Sequence, residues 1–162
     1  MDDQSEPCLI EFRLLRQYGF EQTEALFDRL EAAGKDAIER RPAPGVWSAE
    51  ENARHLLWIE DTLLRVECLG LDPHPFEGGL AVLPGQALEH HVELSETRRV
   101  WRDISAQVAE ALDAMTTDLL LDTVEDSGGR TVGRNLARYL DLSAGARAAT
   151  RQALKISLAR QK

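Results

Sequence analysis

The chain is poor in residues that hold metals or redox centres: it has two cysteines, four histidines, and no histidine after His91. Cys8 and Cys68 stand far apart, outside any CxxC or Cys/His cluster, which argues against a zinc knot and suits two reduced thiols better than a disulfide. Neither has a sequence neighbour that would lower a thiol pKa, so no catalytic cysteine is expected. No apolar run approaches the roughly 20 residues of a membrane-spanning helix. The opening residues, MDDQSEPC, are acidic, where a signal peptide would be basic and then apolar. The expectation is a cytoplasmic protein with no membrane partner.

Cations are also scarce, with 19 Lys and Arg against 28 Asp and Glu and a formal charge of -9. A surface of that sign repels phosphates, so nucleic acid is not an expected partner. Residues 131–162 do hold seven Lys or Arg against Asp141 alone. At about 100° per residue, however, Arg134 and Arg138 point away from Arg147, Arg151 and Lys155, and no single basic stripe results. These cations are expected to pair with the protein's own acidic helices or with a second subunit.

What the chain does have is helical periodicity. Its 162 residues, 43% hydrophobic and 29% charged, suit one globular domain spanning 1–162. From Glu6 to Ala33, Leu9, Phe12, Leu15, Tyr18, Leu26, Phe27 and Leu30 recur mostly at three- and four-residue spacing, and Gly34 ends the helix. RRPAPGVW, with two prolines and a glycine, is a connecting loop. Ser48 and Glu51 then form a capping box that opens a second helix, with Leu56, Ile59, Leu63 and Val66 as its inner row and an end near Gly70. LDPHPFEGGLAVLPGQALEHH reads as a long crossover. A third helix carries Leu94, Trp101, Ile104, Val108, Leu112 and Met115 inward, with Arg98, Arg99, Arg102 and Asp103 mostly on the wet side. Thr131 caps a fourth, through Leu136, Tyr139, Leu140, Ser143, Leu154 and Leu158. With no strand-type alternation and no long repeat, the fold class is all-α, a four-helix bundle with a long connection between the second and third helices.

The segment RPAPGVWSAEENARHLLWIEDTL resembles the DinB/YfiT-like superfamily, whose second helix opens with Trp-Ser and carries a histidine on its inner face. VELSETRRVWRDISAQVAEALDAMTTDLL and GGRTVGRNLARYL are similar to its third helix and to the start of its last one. The resemblance implies an up-down-down-up bundle, often a homodimer. In active members it implies a divalent metal (Zn, Ni or Mn) held by three histidines, with a low-molecular-weight thiol or a metal-bound water doing the chemistry. Imidazoles on facing helices can hold such an ion and leave a position open. His55 matches the first ligand. The other two would form a His-x-x-x-His pair on the last helix, at Leu142 and Ala146 or at Gly145 and Ala149 depending on register, and neither register contains a histidine. The metal is therefore expected to be lost here.

Two readings follow. The favoured one is a degenerate member acting as a scaffold for a small ligand or a partner, possessing the fold without the three-histidine site. The alternative is a metal-dependent thiol S-transferase or hydrolase with a rebuilt site of His55, one of His90 and His91, and Glu51 or Glu60. The plain reading of His55 is a partly buried histidine inside the bundle, and His74, between prolines, is expected to be solvated. Arg147 continues the inward row of Leu136, Leu140 and Ser143. It is expected to project toward His55 with Glu60 or Glu51 as counter-ion, making His55, Glu60, Arg147 and Tyr139 a polar pocket or core. Trp47 and Trp58 read as packing. Leu57 and Leu64, off the inner row, suggest a homodimer surface.

Overall fold

The computed structural model describes residues 5–74, 93–122 and 128–160. Among them the chain forms α1 (Ser5–Ala33), a short α2 (Lys35–Glu39), α3 (Ala49–Trp58), α4 (Leu94–Ala114) and α5 (Val132–Ala159), with a 3₁₀ turn at Thr117–Leu121. The architecture is an all-α bundle, and no described helix is long and apolar enough to cross a membrane. Most of the crossover, including His90 and His91, lies outside the described residues.

The local signals act as the sequence chemistry dictates. Gly34 ends α1 at φ 81°, a left-handed conformation that a side chain would resist. The Ser48 hydroxyl accepts from the Glu51 N–H, and the Glu51 carboxylate accepts from the Ser48 N–H, so α3 opens on the full capping box. Thr131 accepts from the Arg134 N–H at the start of α5.

Past Trp58 the second long helix continues as a π-helix, Ile59–Cys68. Periodicity alone did not anticipate this, because i→i+5 bonding lets the side-chain faces drift from the 3.6-residue pattern. The helix is also enclosed, packing against α5, α4 and α2. Leu57 and Leu64 are both 0% exposed and belong to the protein's own core, which corrects the reading of them as a surface for a second copy. Four of the exposed apolar residues, Ile10, Leu14, Leu15 and Tyr18, are on α1, and others include Leu121, Leu142 and Leu158, so Leu15, Tyr18 and Leu158 do not face the core as their spacing suggested.

Two further surface expectations are corrected. The His74 side chain is 12% exposed rather than solvated, with Nε2 2.7 Å from Asp103 Oδ2, while its backbone N–H donates to Asp61. Arg98 is tucked against α1, donating to Glu24, Asp28 and Glu31. This multiple pairing outweighs the desolvation of the guanidinium and raises its pKa. Cys68 is a free buried thiol, pushed up to about 12 by burial and by the Glu67 charge.

Candidate functional site

Each of the four long helices sends one polar group to a common point in the core. Phe12, Thr23 and Phe27 of α1 are buried, and Arg16 lies on the same face, one turn beyond Phe12. Its guanidinium crosses the core and donates from Nη2 to Glu60 Oε1 at 2.9 Å and to the Ser105 carbonyl at 2.9 Å. Glu60, at the start of the π-helix, also accepts from the Ser105 hydroxyl of α4 at 3.3 Å and, through Oε2, from the Tyr139 hydroxyl of α5 at 2.5 Å. Both charged side chains are 6% exposed. A buried carboxylate is tolerated only when paired and hydrogen-bonded, and here both its oxygens are engaged. Burial first, and then the Glu60 charge, raise the Tyr139 pKa well above its ordinary value. The phenol is thereby held as a hydrogen-bond donor.

Aromatic side chains pack around this network. Phe20 stacks on Trp101 at 4.8 Å, Phe27 tilts against Trp101 at 5.7 Å, and Phe12 meets Tyr139 edge-on at 6.2 Å. The Arg16 guanidinium lies 5.8 Å above the Phe20 ring centre. A cleft opens beside the network between α1 and α5, lined by Arg16, Gly19, Glu60, Tyr139, Ser143 and Arg147 among others. Its enclosed space is about 10 Å³, room for one water-sized group.

The structure thus brings Glu60, Tyr139 and Arg147 together around one cleft and places His55 elsewhere. The ion-pair partner of Glu60 is Arg16, on α1, rather than Arg147. Glu51, the other counter-ion considered for Arg147, accepts from Arg41 and from its own capping box. Arg41 and the capping bonds offset the burial of Glu51 and hold its pKa below the ordinary value. The His55 ring stacks on Trp58 at 5.3 Å and meets Trp47 edge-on at 5.1 Å, so the two tryptophans sandwich it away from the cleft.

Arg16 was missed by the sequence reading, although a signal for it exists. It stands four residues after Phe12 and four before Phe20, a charge on an apolar stripe, which requires a buried partner.

The donor set for a three-histidine metal does not assemble among the described residues, where no three His, Cys, Asp or Glu side chains gather closely enough to hold an ion. His55 is walled by indoles, Glu51 and Glu60 are committed to arginines, and the α5 positions expected for the ligand pair carry Leu142 and Ala146 or Gly145 and Ala149. The residues described do not fit the group.

In comparison with known proteins, the family model of the DinB superfamily aligns with residues 20–142. No curated protein and no solved structure matches the chain.

Proposed function

The chain belongs to the DinB superfamily, and from that premise we propose that it is a small-ligand-binding member that works without the three-histidine metal. The observation that carries this reading is the engagement of Glu60. At the convergence of the four long helices its carboxylate accepts from Arg16, Ser105 and Tyr139, so a cation reaches it only by disturbing a buried ion pair. The cleft beside it, lined by Arg16 and Arg147, is the pocket offered to a ligand. The bundle serves as a rigid frame, with polar groups supplied by all four long helices.

Elemental analysis of protein purified without chelator or affinity tag tests the reading. The expected result is no stoichiometric transition metal, with or without His55→Ala. About one equivalent of zinc, nickel or manganese, lost in His55→Ala, would overturn it in favour of a metal-dependent transferase or hydrolase drawing on His90 or His91.

Homodimerisation is proposed to use the exposed α1 row of Ile10, Leu14 and Tyr18, since Leu57 and Leu64 are buried. Light scattering at micromolar concentration should give a dimer mass that Leu14→Glu reduces to a monomer. A monomer in the unmodified protein removes the idea.

A further inference from the structure

Arg147 is a half-buried cation with no hydrogen-bond or ion-pair partner among the described residues. Its surroundings are built to accommodate it. On α1, Gly19 leaves the space the guanidinium occupies, for a Cβ there would lie 3.2 Å from Nη1 and 3.4 Å from Nη2. Burial lowers its pKa, outweighing the attraction of the Glu60 charge. Across the same cleft, Arg16 is buried, and its Nε has no hydrogen-bond partner although its Nη2 is used twice. The carboxylate among the described residues lining the cleft, Glu60, already accepts three hydrogen bonds from other groups. Two cations and one carboxylate leave the cleft with a surplus positive charge and unused N–H donors.

Resting on the ligand-binding reading above, we infer that the cleft between α1 and α5 is a receptor for the carboxylate end-group of a small organic acid, with Arg147 as its anchor and the buried Arg16 charge beside it. A planar carboxylate matches the guanidinium fork with two parallel hydrogen bonds. The enclosed space admits only one water-sized group, so one carboxylate oxygen enters it and the rest of the acid stays at the mouth of the cleft, where a planar end-group is less bulky than a tetrahedral phosphate. Phe20 and Trp101 also line the cleft, giving it aromatic as well as charged walls.

The test is a titration of the full chain with sodium acetate at constant ionic strength, replacing sodium chloride and followed by backbone amide resonances. The expected result is saturable shifts at Gly19 and Ser143 and at the Trp101 indole, absent with acetamide and inorganic phosphate. Loss of a charge-assisted pair should weaken acetate about tenfold or more in Arg147→Met. Arg147→Lys, keeping charge but not the fork, should recover part of the affinity, and Gly19→Ala, crowding the guanidinium, should reduce it. Amide spectra of the free variants report whether each remains folded. Non-saturable shifts, equal shifts with phosphate, or unchanged acetate binding in Arg147→Met would each overturn the inference. Failure to bind acetate in metal-free protein overturns this inference alone, whereas metal lost in His55→Ala overturns the scaffold reading.

Discussion

Arg16 Nη2 lies 2.9 Å from Glu60 Oε1, and the two side chains are buried equally. The pair joins α1 to the start of the π-helix, and Ser105 and Tyr139 bind the same carboxylate from α4 and α5. A buried pair of this kind is a poor source of net stability but a strong constraint on geometry, because either charge left alone is costly.

Arg16→Met should therefore destabilise the protein by about 3–5 kcal/mol in denaturant unfolding, since it strands the Glu60 carboxylate. The double variant Arg16→Met/Glu60→Leu should recover much of that loss, as apolar pairs often replace buried ion pairs without penalty. Equal destabilisation in the single and double variants would show that the pair is not coupled.

Tyr139 predicts an alkaline limb. Its pKa is raised in the folded protein above the ordinary value of 10.0, so the stabilisation is complete below that pH and is lost as pH rises toward the folded value. Unfolding free energy should fall above about pH 10 by up to about 1.4 kcal/mol per pH unit from this one group. In Tyr139→Phe the slope should be shallower, with a loss of about 1–3 kcal/mol at neutral pH from the unsatisfied carboxylate oxygen. The same slope in both proteins would contradict the assignment.

Glu51 predicts an acid limb of opposite sign. Its pKa is held below the ordinary 4.5, so its contribution is present above that value and is lost as pH falls through the folded pKa. Ser48→Ala, removing the reciprocal cap, should cost about 1 kcal/mol at neutral pH. Glu51→Gln should flatten the acid limb, and thermal unfolding between pH 3 and 6 reads both.

Cys68 should be inert in the folded state, with burial and the nearby Glu67 charge pushing its thiol up to about 12. In a Cys8→Ser background at pH 8, a thiol-specific chromogenic reagent should label nothing until denaturant is added. Rapid native labelling would show that the site opens.

The helices of this protein were legible in its sequence because their signals are local. The Ser48–Glu51 box, the Thr131 cap and the glycine at position 34 each act within a few residues, and the structure realises all three. The DinB likeness was legible in the loop-Trp-Ser-helix segment around Trp47 to His55, and the matched region includes it. The absence of histidine from the last helix could also be read directly. What sequence could not determine was which side chains meet across the core. The π-helical stretch from Ile59 to Cys68 changes the facing that a 3.6-residue period predicts. Enclosure by three neighbouring helices buries Leu57 and Leu64, which the inner row alone would leave outside. The choice of Arg16 rather than Arg147 as the partner of Glu60 joins residues that are 44 positions apart in the chain. Long-range pairing of that kind is set by where helices cross, and only the assembled bundle decides which buried charge finds a counter-ion and which has none among the described residues.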